Sequence, residues 1–237
     1  MENATYTALT RQSGLMREMQ AVAHNIANLA TDGYRKRGLI FAEHVAAMQG
    51  GDPSLSMATA TVRNTSELQG PLTQTGDPYD LGIEGDGFFQ IETPQGNRLT
   101  RAGSFTPNQA GELVNMDGYR LLDQGGTPIF IPPNAAAVTV ARDGTVVADG
   151  VPLAQIGLVL PADPNTLSRE AGILFSSGPV VPTETATLLQ GFIENSNVDP
   201  ILEIARMIEV QRAYELGQSF LSAEDERVRG VIQTLGR

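Results

Sequence analysis

The sequence predicts an α+β chain: N- and C-terminal helices forming a joined, coiled-coil-like domain, with an antiparallel β domain inserted between them. Three observations predict it. Residues 1–32 lack proline and place apolar side chains at Leu15, Met19, Val22, Ile26 and Leu29, in steps of 4, 3, 4 and 3. Residues 201–237 also lack proline and repeat that spacing at Met207, Val210, Tyr214, Gly217, Leu221, Glu224, Val228, Val231 and Leu235, with Gly217 an empty lapse and Glu224 a polar one. All 14 prolines and most of the 25 glycines lie between the two ends. A period of about 3.5 residues supports a seam of helix against helix, whereas dense Gly and Pro punctuate strands and turns.

The first helix is expected from about Ala4 to Ala30, stopping near Thr31-Asp32-Gly33, where Gly33 suits a left-handed C-cap. In the following stretch Phe41, Val45 and Met48 fit a short helical turn. Gly50-Gly51-Asp52-Pro53-Ser54 reads as a flexible loop, and Thr59 to Val62 as an extended strand. From Leu81 to Leu160 the pattern is all β. Phe88-Phe89-Gln90-Ile91 is a strand ending in the turn Pro94-Gln95-Gly96-Asn97. Asp117-Gly118, Asp143-Gly144 and Asp149-Gly150 are hairpin signals, because both residue types tolerate positive φ. Short β-branched runs separate them: Thr127 to Ile131, Val138 to Val140, Thr145 to Val147 and Gln155 to Leu160. Turns this close imply a meander folded as a small sandwich or open barrel. The second helix begins at Asp199, a capping residue. Pro200 occupies its first position, and Glu203 favours the dipole of its first turn.

The expected domains are therefore 1–35 plus 196–237 as a discontinuous helical core, 36–80 as a connecting segment with an extended loop, and 81–195 as a β-rich outer domain. On the second helix Ile201, Ile204 and Ile208 form an additional apolar row. A helix apolar on two sides is normally buried on two sides. One antiparallel partner covers one of them, so the other calls for neighbouring subunits, or for the β domain folded over it. The candidate subunit-interface residues are Leu15, Met19, Val22, Ile26, Leu29, Ile201, Ile204, Met207, Ile208, Val210, Tyr214 and Leu221.

Composition excludes several functions. With 41% hydrophobic and 18% charged residues the chain is not of disordered type, and 5% aromatics with no Trp leave the core to Val, Ile, Leu and Ala. A net charge of −11 offers no basic stripe for nucleic acid. The basic run Arg35-Lys36-Arg37 reads as a solvated loop. No apolar stretch approaches the roughly 20 residues of a membrane span. Met1-Glu2-Asn3-Ala4 has neither the basic nor the apolar region of a Sec-type signal peptide. Zero cysteines exclude disulfides and thiolate metal sites.

No chemistry emerges from the motifs. Asn195-Ser196-Asn197-Val198-Asp199 has the oxygen spacing that opens a calcium loop, but Pro200 and Arg206 stand where glycine and glutamate are required, so helix capping explains it better. Gly82, Gly85 and Gly87 lead into a strand rather than a helix N-terminus, which argues for tight turns over a phosphate cradle. His24 and His44 lack second ligands at metal spacing, and His24 among the seam residues reads as structural. Glu84 with Asp86 and Asp77 with Asp80 lie in glycine-rich turns, where acids are common for conformational reasons. No nucleophile motif is present, so no catalytic, cofactor-binding or metal residue is assigned.

Three stretches together do carry a resemblance. Asn25-Ile26-Ala27-Asn28-Leu29-Ala30-Thr31-Asp32-Gly33-Tyr34-Arg35 is similar to the N-terminal signature NNxANxxTxGFK/R of bacterial flagellar rod and hook proteins. Gly85-Asp86-Gly87-Phe88-Phe89-Gln90-Ile91, then Thr100-Arg101-Ala102-Gly103-Ser104-Phe105 and Gly111-Glu112-Leu113-Val114, resemble the central β motif of that family. Ser196-Asn197-Val198-Asp199, with Met207-Ile208-Glu209-Val210-Gln211-Arg212-Ala213-Tyr214-Glu215, resembles its C-terminal signature. His24 and Asp32 are small departures. Within the family, the chain length, the opening Met1-Glu2-Asn3-Ala4-Thr5-Tyr6 and the segment Leu158 to Phe175 resemble the proximal-rod branch more than the distal one.

The resemblance implies a structural subunit with other rod subunits and the flagellar type III export apparatus as partners. It implies export without a cleaved signal, and assembly in the periplasm into a shaft that transmits torque. A distal-rod or hook protein is the nearest alternative, and an exported peptidoglycan-processing enzyme a remote one.

Overall fold

The computed structural model describes residues 2–46, 55–170, 172–183 and 185–235. The chain divides into two compact units. The first comprises Met1–Leu29, Lys36–Ser66 and Val198–Arg237, and the second Ala30–Arg35 and Glu67–Asn197. The whole is α+β, with two helices and several antiparallel sheets among the described residues.

The first unit holds helix α1 (Glu2–Ala27), strands β1 (Arg37–Ala46) and β2 (Leu55–Thr65), and helix α2 (Pro200–Leu235). α1 ends three residues earlier than expected. Its last turn tightens into bonds from the Asn28 amide to the Asn25 carbonyl (3.1 Å) and from the Leu29 amide to the Ile26 carbonyl (3.4 Å). Gly33 is left-handed (φ +67) as its spacing suggested, but it makes a turn beyond the helix rather than capping it.

The helical turn expected at Phe41 and Val45 is instead strand β1. It pairs antiparallel with β2 from Arg37↔Thr65 to Ala46↔Leu55, with a register shift between Ile40 and Phe41. A four-residue step is ambiguous, because it keeps one face of a helix and also one face of a strand. The strand expected at Thr59 to Val62 lies within β2. Met48 and the loop expected at Gly50 to Ser54 lie outside the described residues. α2 begins as expected: the Asp199 carboxylate accepts from the Ile201 and Leu202 amides (2.9 and 3.1 Å), with Pro200 at the first position and Glu203 in the first turn.

The second unit is built from short strands, including β3 (Leu72–Gln74), β4 (Leu81–Glu84), β5 (Phe88–Thr93) and β6 (Gly96–Thr100). β5 is central. It forms a hairpin with β6 on one edge, and on the other it pairs with Arg120–Leu121 and Leu158–Pro161. Val138–Val140, Thr145–Ala148 and Val151–Gln155 make a separate three-stranded sheet. Its turns use the expected Asp-Gly pairs, with Gly144 at φ +89, and Asp149 and Gly150 at +50 and +82.

Two expected runs are broken. Thr127 to Ile131 makes only isolated bridges, Leu122↔Pro128 and Glu112↔Phe130, because Pro128 has no amide to donate to a ladder. Gln155 to Leu160 is interrupted at Gly157, whose backbone approaches so closely that a Cβ there would lie 2.9 Å from the Gln124 Cα. The chain leaves this unit by pairing Thr187–Gln190 with β4 and Phe192–Glu194 with β3. The core between these strands is aliphatic, with Phe89 set edge-on to Phe105 (5.3 Å, 85°). At about 25 cal/mol per Å² of apolar surface, such burial is the main source of the stability of the unit.

Candidate assembly surface and motif node

In the first unit the expected seam residues face inward to different degrees. Val22 and Val210 are buried, at 5% and 2% exposure. Leu15, Met19, Ile26, Leu29, Met207, Tyr214 and Leu221 are half-buried. On α2 the burial follows the heptad from Glu203 through Met207, Val210, Tyr214, Gly217 and Leu221 to Glu224, and from Asp225 to Thr234 every residue is exposed. Contacts between the two helices run in opposite directions along them. Gln12 Nε2 donates to the Tyr214 carbonyl (2.9 Å), Arg206 Nε donates to Glu18 (2.7 Å), and Asn25 Nδ2 donates to Glu203 (2.9 Å).

The second apolar row is open. Ile201, Ile204 and Ile208 are 78%, 51% and 47% exposed, and Leu216 and Phe220 are exposed as well. An apolar row of this extent on one helix marks an interaction face. The interface set thus splits into buried or half-buried residues and residues open to solvent. His24 is exposed rather than packed in the seam.

In the second unit the family-motif residues meet at one buried carboxylate. Glu194 Oε2 accepts from Arg101 Nε at 2.7 Å, and Glu194 Oε1 pairs with Arg35 at 3.1 Å and accepts from the Gly70 amide at 2.9 Å. Arg101 Nη1 donates to the carbonyls of Gly85 and Gly87 (3.0 and 2.6 Å), and Arg35 Nη1 to those of Glu67 and Leu68. The Gly33 amide donates to the Glu194 carbonyl (2.6 Å), and the Asn197 amide to the Tyr34 carbonyl (3.3 Å). Arg169 lies over both Tyr34 and Phe175, at 4.8 and 4.5 Å from the ring centres. A Cβ on Gly33 would come within 2.2 Å of the Ala102 amide nitrogen, which is why glycine stands there. Burial pushes the Arg101 guanidinium down to about 10 against the pull of Glu194, and burial lowers Arg35 too.

So Gly33, Tyr34, Gly85, Gly87 and Asn197 hold backbone around the two arginines. Phe89 fills the core, Phe88 packs edge-on to Phe175 (5.6 Å), and Ser196 and Val198 are buried. The remaining motif residues lie elsewhere. Asn28 donates to the His24 carbonyl (2.8 Å), and the Thr31 carbonyl accepts from the Tyr34 amide (3.2 Å). Gln211 donates to Glu215 (3.1 Å) on the open side of α2, where Arg212 is also exposed, while Ala213 is half-buried.

The basic run is not a solvated loop. Arg35 is buried on Glu194, and Lys36 Nζ reaches Glu203 Oε1 at 2.5 Å. Of the three glycines expected in tight turns, Gly85 makes one, at φ +101 with its carbonyl on Arg101, whereas Gly82 lies inside β4, paired with Leu189. Asn195 and Asn197 spend their amides on Thr73 Oγ1 (2.8 Å) and the Leu68 carbonyl (2.6 Å), so their side chains do not converge with Asp199. Among the described residues no group of His, Cys, Asp and Glu is placed to hold a metal ion. Nothing in the sequence singles out Glu194 or Gln12, and Glu203 stands out there only as the acid of the first turn of α2. For Glu18 and Asn25 a signal existed, since they stand seven residues apart beside the seam.

Residues 82–148 match the flagellar hook protein FlgE/F/G D1 domain, and residues 189–234 match the C-terminal region of the flagellar basal body rod FlgEFG proteins. The chain is 39% identical over 245 residues to the flagellar basal-body rod protein FlgF of Caulobacter vibrioides, covering 100% of this chain and 99% of that protein. It is 36% identical over 244 residues to FlgF of Mesorhizobium japonicum, at 100% and 99% coverage. To the rod protein FlgG of Agrobacterium fabrum it is 32% identical over 263 residues, covering 96% of this chain and 97% of that one.

Proposed function

The chain belongs to the flagellar basal-body rod protein family and is a structural subunit of the rod rather than an enzyme, and from that premise we propose that it polymerises through its terminal helices into the proximal rod. Membership places it in the flagellar basal body and makes other rod and hook proteins its assembly partners. The proximal position rests on the higher identity to FlgF-type than to FlgG-type relatives.

One observation carries the mechanism: α2 has its seam side turned toward α1 while Ile201, Ile204 and Ile208 stay open. In the reading we offer, residues 1–35 and 196–237 act as a joined, coiled-coil-like axial core, and the face left open packs on neighbouring subunits. Residues 81–195 form the outer β domain, and within 36–80 the β1–β2 hairpin belongs with the helices, so the connection begins only after Ser66. Helices held by several neighbours resist bending, because close-packed interiors deform little, and that suits a periplasmic shaft loaded in torsion. Export through the flagellar type III apparatus without a cleaved signal belongs to the same reading.

Ile208→Asp tests it. The side chain is half exposed in the free chain, so folding changes by no more than about 0.5 kcal/mol, whereas an unpaired carboxylate buried between subunits costs several kcal/mol. Cells carrying the variant should be non-motile, with basal bodies ending at or before the proximal rod. Normal swimming at normal protein level would refute the open-face mechanism.

A further inference from the structure

We propose that a ladder of polar contacts, rather than the apolar seam, fixes the antiparallel register of α1 and α2. It goes beyond the rod reading, on which it depends only for the use made of the outward face. On the two helices only Val22 and Val210 are fully buried apolar residues among those described, whereas Gln12, Glu18, Asn25 and Glu203 are all buried. Apolar side chains at heptad positions are interchangeable under a slip of one heptad, so such a seam specifies register weakly. Buried polar groups are not interchangeable, since each needs its own partner.

Each rung is specific. Asn25 donates to Glu203, and it also accepts from the Arg37 amide (2.8 Å) and donates to the Arg37 carbonyl (2.9 Å), tying the start of β1 to the first turn of α2. Lys36 supplies the countercharge to Glu203. Arg206 brackets Glu18. The third rung explains the gap in the seam. Gly217 is where Gln12 crosses, and a Cβ there would meet Gln12 Nε2 at 2.3 Å. A slip of one heptad would set Gln12 against Leu221 and Glu224 or against Met207 and Val210, and would leave Glu203 without its donors.

Amide exchange on the purified full-length chain tests the ladder, with β4 to β6 as the internal control for folding. Gly217→Leu completes the apolar seam and is the better helix former, so an apolar seam predicts slower exchange in α1 and α2. The ladder predicts the opposite, with exchange in both helices faster by about tenfold or more. Glu18→Arg and Arg206→Glu should each accelerate exchange likewise, and the double exchange should restore it. Unchanged or slower exchange in Gly217→Leu, or no restoration in the double variant, overturns the proposal. Because the readout precedes polymerisation, either result leaves the rod reading intact.

Discussion

The Arg101 guanidinium meets the Glu194 carboxylate at 2.7 Å, with both side chains at most 1% exposed. The two residues lie 93 positions apart, and Arg35 joins the same carboxylate from near the other end of the chain. One acid thus ties the segment after α1 and the segment after β6 to the strand before α2, and Arg101 carries the tie on to the turn before β5. Two cations and one anion are held out of water here with the help of backbone carbonyls, those of Gly85 and Gly87 on Arg101 Nη1 and those of Glu67 and Leu68 on Arg35 Nη1, while Arg35 Nε and Arg101 Nη2 are buried without a hydrogen bond.

Removing Glu194 should therefore be severe. Glu194→Ala leaves two buried guanidinium groups without their carboxylate and is expected to cost about 3–5 kcal/mol. Chemical denaturation followed by a signal from the β unit checks it. A loss below about 1 kcal/mol, the scale of an exposed ion pair, would show that the cluster is solvated.

Gly33→Ala should also destabilise the β unit, by more than about 2 kcal/mol, because a Cβ is disfavoured at positive φ and would strike backbone that cannot turn aside. Gly76→Ala is the control, being left-handed with nothing near its missing Cβ. Equal losses in the two variants would remove the close-approach argument.

Asp143 offers a pH test. The amide and hydroxyl of Thr145 hold its carboxyl below the usual carboxylate range. Its contribution to stability is then fully present above the unfolded value of about 3.9 and is lost as pH falls through the lower folded value. An NMR titration should place its midpoint below that of an unstructured aspartate. A midpoint at or above it would contradict the turn geometry.

The free chain should show graded protection. Every residue from Asp225 to Thr234 is exposed, and helix propensity alone sustains little, so exchange should be fastest there. Slow exchange is expected in β4 to β6 and in Thr187–Gln190, where the core closes. An α2 end as protected as β5 would mean that it is prefolded, and assembly would be rigid docking.

What the sequence disclosed follows from range. The spacing of Met207, Val210, Tyr214 and Leu221 and the cap at Asp199 are local patterns; the cap stands where it was expected, and burial along α2 follows the spacing. Phe41 and Val45 misled because their step of four serves helix and strand alike. Arg35 and Lys36 looked solvated because neither Glu194 nor Glu203 is near them in sequence. Gly217 reads as a lapse in the seam because Gln12, which crosses it, lies on the other helix. Pairings across such distances leave no periodic trace.

The central claim is that the open face of α2 is a subunit contact. An image of the isolated basal body with this chain traced at side-chain resolution tests it most directly. Ile201, Ile204 and Ile208 are expected against apolar side chains of neighbouring rod subunits, with α1 and α2 still antiparallel within each chain. Those three isoleucines facing solvent, or covered by the β unit of the same chain, would contradict the account.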